Sequence, residues 1–303
     1  MGGGAGTEAA ERPLRPQSAE GPRPVQVRVP PRSAGGELRA IKVVWQRELI
    51  RFSRDRLRIV TSLIQPFLFL FVLGSGLSHV ASAGTHGVNL KTFIYPGVLC
   101  IAVMFTAMFS AASLVWDREF GFLREMMVAP VKRSSLVLGK CFGGATVAGF
   151  QGAIVLCLAP LVGIPYGAGW VAEVFAIQLA LAFAITAFGV MVAARITQMQ
   201  AFMALMQMVI LPMYFLSGAL YPVAGLPRWL EVLNRIDPLT YAVDPIRRII
   251  FSHLSISAAA RGALDPGVSW WGWHVPAGLE VAVIALLGSA MLAIAILQFS
   301  RAE

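Results

Sequence analysis

Long runs without a charged residue alternate with short charged stretches along most of this chain. Ile59–Ser78 holds 20 residues without a charge, Thr92–Trp116 25, Cys141–Ala172 32, Val174–Ala194 21, Ile196–Pro227 32 and Val281–Ser300 20. A helix needs about 20 apolar residues to cross the hydrocarbon core of a bilayer. The pattern predicts six membrane-spanning helices, near residues 59–78, 93–115, 138–162, 172–193, 200–220 and 278–298. Turn-rich sequence at Gly163-Ile-Pro-Tyr-Gly167 and from Ser217 to Pro222 closes the third and fifth. The expected fold class is an all-α polytopic membrane protein.

Other segments have helical period with two faces. In Glu37–Arg58, Ile41, Trp45, Leu49 and Phe52 share one stripe, while Arg47, Arg51, Arg54 and Arg58 share another. Such a helix suits the membrane interface and would enter the first span as an elbow, with Trp45, Arg47, Glu48, Arg51 and Phe52 as its marked residues. A generic basic flank is the plainer reading. Between spans two and three, Asp117, Arg118 and Glu119 open a charged stretch in which an anionic start suits a helix N-terminus. Phe122, Leu123, Met126 and Met127 follow as one apolar patch, with Arg124 and Glu125 among them. Pro130 ends that helix, and Ser134 or Ser135 is expected to cap the next. An apolar patch rimmed by charge suggests a protein partner; a helix lying on lipid head groups is the alternative. Between spans five and six, two short amphipathic helices broken at Asp237-Pro238 fit, with Trp270, Trp271 and Trp273 as an aromatic belt before span six. The first 36 residues carry seven Gly, six Pro and scattered Arg with no apolar period, and read as a disordered tail ahead of a transmembrane domain over 37–303.

Composition supports the membrane reading. Hydrophobic residues make up 57% and charged residues 14% of 303, against about 45–50% and about 25% in soluble domains. The net charge of +9 would suggest nucleic acid in a soluble protein. Here 19 of the 25 Lys and Arg fall on one side of the six-span topology and 6 on the other, which places both termini in the cytoplasm and the chain in the cytoplasmic membrane. The charge then reads as a topology signal and an attraction to anionic lipid, not as nucleic-acid binding. Cys100, Cys141 and Cys157 form no metal spacing, and His79, His86, His253 and His274 are far apart, so no metal site is expected.

The spans hold almost no charge, which argues against a stand-alone channel or ion-coupled carrier, and no deep polar pair suggests an intramembrane enzyme. Gln65, Gln151, Gln178, Gln207 and Gln298 are expected to hydrogen-bond between helices. Met199, Met203, Met206, Met208 and Met213 serve either as core filler or as an adaptable cargo lining, with Met203, Gln207 and Tyr214 marking a possible substrate path.

Three pieces together resemble the membrane subunits of type-2 ABC exporters, the ABC-2 family, with drug- and antibiotic-export permeases closest. They are Trp45-Gln-Arg-Glu-Leu-Ile-Arg51 followed by Gln65-Pro66; Asp117-Arg118-Glu119 with Gly121, Leu123, Pro130, Arg133 and Gly139-Lys140; and Tyr214–Pro222, Leu226–Leu230 and Asp237–Arg247. The resemblance covers roughly residues 38–300. Asp237 stands where Asn is commoner, and Pro245 interrupts the following helix. The resemblance implies a permease without catalytic residues, paired with a second copy or homologue and with two ATPase subunits that carry ATP-Mg. The phosphate-binding pattern G-x-x-x-x-G-K-[ST] does not occur here, so the ATPase would be a separate polypeptide. It also implies a coupling helix over 117–129, with Phe122, Leu123 and Met126 as anchors, Arg118, Glu119, Arg124 and Glu125 on the rim, and Gly121 leaving room for close approach. The cargo would be an amphiphile: a hydrophobic drug, a lipid or a lipid-linked glycan.

Overall fold

The computed structural model describes residues 2–3, 34–77, 88–121, 132–222, 227–254, 256–265, 267–270 and 273–301. The chain divides at residue 31 into two units, and the second, Arg32–Glu303, holds the helices. The expected 1–36 tail lies almost wholly outside the described residues.

Helix α1, Ala34–Arg54, buries Val44, Glu48 and Phe52. It ends four residues before the expected Arg58. Asp55 breaks the chain direction there, and its side chain accepts the Arg58 N–H to cap helix α2, Arg56–Gly76. Pro66 withholds a backbone donor within α2, and the next stretch, Leu68–Leu73, widens into a π-helix. Helices α3, Leu90–Glu119, and α4, Arg133–Leu156, come after it. A 3₁₀ turn at Ala159–Val162 leads to Gly163 in the left-handed region. Helices α5, Ala168–Ala193, and α6, Met199–Leu216, come next. Three shorter helices, α7 at Arg228–Ile236, α8 at Thr240–Ser252 and α9 at Ala258–Leu264, precede a two-stranded antiparallel hairpin of β1, Ser269–Trp270, and β2, Trp273–His274. Helix α10, Ala277–Arg301, closes the chain.

Among the described residues, five helices, α2, α3, α5, α6 and α10, are long and apolar enough to cross a membrane, consistent with a multi-pass membrane protein. The third expected span is helical as α4, but Lys140, Gln151 and its many glycines leave it short of that apolarity. Small residues there have a packing purpose. A Cβ at Gly144 would meet Thr186 Cγ2 of α5 at 2.5 Å, and one at Gly152 would meet Val103 Cγ2 of α3 at 2.7 Å. In lipid, close backbone approach of this kind replaces the hydrophobic effect as the force that holds helices together.

Helix α3 lies at the centre, with α4, α5, α6 and α8 around it and α2 leaning on its flank. Helix α10 packs on α5, and α1 on α4. By contrast, α2 and α6 turn large apolar side chains outward, Val72 and Met208 among them. Outside the hydrocarbon such surface would need cover; within it, lipid or a partner helix suffices.

Two sequence expectations fail inside the bundle. Gln151 and Gln178 are fully buried, yet no amide atom of either has a hydrogen-bond partner among the described residues. Gln178 Oε1 lies 3.0 Å from where a Gly152 Cβ would sit, beside Val103 Cγ2. Pro245 sits within α8 without interrupting it. Burial of Ile246, Ile250 and Phe251 on the bundle holds that helix across the missing donor.

Candidate functional site

The end of the bundle where α3 stops carries a buried ionic cluster. Lys140 is 4% exposed, and its ammonium donates to Glu48 Oε1 of α1 at 2.6 Å, Asp117 Oδ2 of α3 at 2.5 Å and Ser113 Oγ at 2.9 Å. Arg47 donates to the same Asp117 oxygen at 2.7 Å, and Arg51 stands 3.8 Å from the other. No side-chain nitrogen or oxygen of this group is buried without a partner. A lone charge would be costly at such burial; two carboxylates meeting Lys140 and Arg47 balance it.

Helix α1 reaches this cluster because α4 is glycine-lined. A Cβ at Gly139 would stand 2.7 Å from Val44 Cβ, and one at Gly143 would stand 2.8 Å from Glu48 Cβ. Trp45 Nε1 donates to Thr146 Oγ1 at 3.0 Å, and the Phe52 ring meets Phe150 edge-on. The apolar stripe of α1 thus rests on α4, and two arginines of its basic stripe turn to Asp117.

The next two residues serve other helices. Arg118 donates to the carbonyls of Ala193, Ala194 and Ile196 at 3.0–3.1 Å, where α5 ends. Glu119 accepts the Met199 N–H at 3.1 Å, where α6 begins. Glu37 of α1 accepts the Lys132 N–H and the Ser135 hydroxyl at the start of α4. Arg133 donates to the Phe299 carbonyl near the end of α10. In each case an anion meets a helix N-terminus or a cation a C-terminus, as the helix dipole favours, and unpaired end groups gain partners.

This corrects two sequence expectations. Asp117, Arg118 and Glu119 form the last turn of α3 rather than the opening of a separate helix, because their partners lie on α1, α4, α5 and the start of α6. Neither Ser134 nor Ser135 caps α4; the carboxylate of Glu37 reaches that end first, and Ser135 donates to it. Gly121 has φ +82°, and no described atom lies within 4 Å of where its Cβ would sit. That left-handed backbone just past the helix end favours glycine on its own account. Phe122, Leu123, Arg124, Glu125 and Met126 lie outside the described residues.

Beside the cluster is a cavity of about 580 Å³ between the end of α1, α2, α3 and α6. Met203 borders it and also a smaller neighbouring cavity, which Gln207 lines. Tyr214 borders neither; it is buried with its ring edge-on to Phe69. Sequence reasoning missed Glu37, Ser113 and Lys140 as functional groups, and the last had a signal: a lysine inside an otherwise apolar run.

The opposite end of the bundle has its own ionic group. Arg248 pairs with Asp244 and, at 2.8 Å, with Glu280. Arg247 lies with its guanidinium carbon 4.6 Å from the centre of the Phe93 ring and donates to the Gly218 carbonyl at 2.6 Å. Burial pushes the Asp237 carboxyl up to about 8, against a Leu239 N–H bond that pulls it down. Burial, then the nearby Asp244 charge, pushes Asp265 up to about 7.

Residues 39–251 match the family model described as ABC-2 type transporter. The chain belongs to that family. Nodulation protein J of Rhizobium leguminosarum bv. trifolii is 30% identical over 226 residues, 72% of this chain and 84% of that one. A protein of Cyanophora paradoxa named as transport permease ycf38 is 29% identical over 70% of this chain and 74% of its own. A protein of Mycobacterium tuberculosis named as doxorubicin resistance ABC transporter permease DrrC is 25% identical over 66% and 73%. ABC-2 members are membrane transport subunits and not themselves the ATPase. The Asp117-Arg118-Glu119 turn and all of α8 but its last residue fall within the matched stretch.

Proposed function

We propose that this ABC-2 chain is the permease subunit of an ATP-driven exporter that moves an amphiphilic or hydrophobic cargo out across the cytoplasmic membrane. It crosses six times, with α4 as the third span and both termini in the cytoplasm. The Lys/Arg asymmetry supports that orientation, because it collects Arg47, Arg51, Arg118 and Lys140 on one side. Two separate ATPase subunits supply ATP-Mg, and a second permease copy or homologue completes the pore. The poorly covered α2 and α6 are the helices left for that partner.

One observation carries the reading: the last turn of α3 is bonded to α1, α4, α5 and α6 together. Whatever pulls on the segment after Gly121 therefore moves several helices as one body. A stroke delivered to 122–129 would bias the membrane dimer between two arrangements without bending individual helices. In this reading Phe122, Leu123 and Met126 are the anchors on the ATPase, with Arg124 and Glu125 beside them. Glu119 holds the start of α6 instead, so Glu119→Lys would disturb the bundle as well as the docking. The cleaner variant is Phe122→Ala.

The test is co-purification of the chain with an ABC ATPase, followed by ATP hydrolysis and export. Loss of one buried interface anchor costs about 2 kcal/mol or more. Phe122→Ala should then recover at least about tenfold less ATPase while the permease stays folded. Full assembly and export by Phe122→Ala would remove 122–129 as the coupling element, and nucleotide binding by the isolated chain would overturn the division of labour.

A further inference from the structure

We infer that the 580 Å³ cavity takes an amphiphile with an anionic head group, and that Arg51 and Arg58 select it. This rests on the exporter reading and gives the cargo its charge. The lining is divided. Arg51, Asp55, Arg58 and Thr61 stand on the α1–α2 corner; Phe105 and Phe109 of α3 and Met203 of α6 stand opposite. A volume of several hundred cubic ångströms suits a head group with the first part of an apolar body, not a whole lipid.

Arg58 supplies the sharpest observation. Its Nη2 is shut off from solvent and has no hydrogen-bond partner among the described residues. A guanidinium stays charged and carries five donors in a planar fork, so a desolvated edge without an acceptor is unfavourable. A carboxylate or phosphate in the cavity that Arg58 lines would draw the guanidinium toward it and meet it with paired, charge-assisted bonds. Among the described residues the one carboxylate in the lining, Asp55, already accepts the Arg58 backbone N–H with Oδ1. Arg51 stands 3.8 Å from Asp117 Oδ1, beyond hydrogen-bond distance, while Lys140 and Arg47 hold Oδ2 at 2.5 and 2.7 Å. Two cations against one acid leave the lining net positive. The Thr61 hydroxyl donates to its own helix, to Leu57 and Arg58 carbonyls, and so adds no donor for an anion. Selection thus falls on the two arginines. A cationic amphiphile would meet like charge, and a neutral one would leave Arg58 desolvated.

The test uses the full chain in a neutral detergent and three probes with one apolar body: 11-(dansylamino)undecanoic acid, its methyl ester and the corresponding terminal amine. Energy transfer from tryptophan to the dansyl group reads binding. The acid should bind at least about tenfold tighter than the ester, and the amine weakest. Arg51→Gln and Arg58→Gln should each erase most of that preference, Arg58→Lys should keep part of it, and Met203→Trp should weaken acid and ester alike. If Arg58→Gln does not fold, the parent's acid-to-ester ratio and Arg51→Gln decide alone. Equal binding of acid and ester by the parent overturns the inference, as does an unchanged preference in a folded Arg58→Gln.

A second arm uses the chain assembled with its ATPase. The acid should stimulate ATP hydrolysis more than the ester. Tight binding without stimulation would mark a resident lipid site and overturn the cargo assignment. Loss of acid binding on dimerisation would mean that a second permease copy fills the cavity, and the cargo assignment would fall in that case too. A chain that binds the acid selectively but never associates with an ATPase would retire the exporter reading and leave the head-group site standing.

Discussion

At one end of the bundle Lys140 is enclosed by Glu48, Asp117 and Ser113, and every buried polar atom of that group has a partner. At the other end Asp237, Asp265 and Glu280 each keep one buried carboxylate oxygen without any among the described residues. Both groups are ionic, and both tie short or peripheral helices to the central α3. They differ in closure. The first meets its carboxylates with a lysine and arginines brought in by α1, so charge is neutralised inside the protein. The second sets Asp244, Asp265 and Glu280 against Arg247 and Arg248, one of which is occupied by a carbonyl and an aromatic ring. A closed network fixes a geometry; an open one is left to respond to protons.

The comparison breaks most sharply at Lys140. Among the described residues, Lys140→Met removes the only cation within 3 Å of the Glu48 carboxylate and leaves two buried acids facing each other. Breaking a buried ion pair from one side costs about 3–5 kcal/mol. The variant should unfold much earlier in detergent, or fail to accumulate. Restoring balance with Glu48→Gln and Asp117→Asn on that background should recover part of the loss. If Lys140→Met melts like the parent, the cluster does not hold α1 to the bundle.

A smaller effect is expected from Gly143→Leu. The first added carbon would stand 2.8 Å from Glu48 Cβ, so α1 must lift from α4. Overpacking of this kind costs about 1–3 kcal/mol. Because the lift also lengthens the Lys140–Glu48 contact, its cost should not add to that of Lys140→Met in the double variant. Simple additivity would show that the glycine seat and the ionic cluster act separately.

Much of the frame was legible in the sequence, for reasons that particular residues make plain. Charge-free runs locate α2, α3, α5, α6 and α10 to within a few residues, since membrane thickness leaves little choice of helix length. Asp237-Pro238 marks the break between α7 and α8, because a residue before proline is biased away from helix. The partners of Asp117, Arg118 and Glu119 were not legible. They lie on Lys140 and at the ends of α5 and α6, contacts set by how helices stack. Period reveals which face of α1 is apolar, but not that α4 rather than lipid covers it. Likewise Arg58 reads as one more basic flank residue until α2 is seen to start at Arg56 and turn it into a cavity.

The two ends also separate by their response to pH. Asp237 accepts the Leu239 N–H at 3.0 Å through Oδ1, while Oδ2 is buried without a partner among the described residues. Burial lifts this carboxyl to about 8, whereas in the unfolded chain it titrates near the ordinary aspartate value of about 3.9. Between those two values the folded protein keeps a proton that the unfolded chain has lost. Stability is therefore full below the unfolded value and falls as pH rises through this window, by about 1.4 kcal/mol per pH unit at most for one such group. Above about 8 the fall levels off. Asp265, raised to about 7, adds to the slope over a narrower range. Asn at position 237 keeps the acceptor for Leu239 and does not titrate. Asp237→Asn should match the parent below about pH 4, exceed it at about pH 8 and flatten the profile between. Unfolding midpoints of both proteins from about pH 3.5 to about pH 8.5 measure this directly. Parallel profiles would show that Asp237 carries no proton on folding, and its burial would then have to be balanced by a cation outside the described residues.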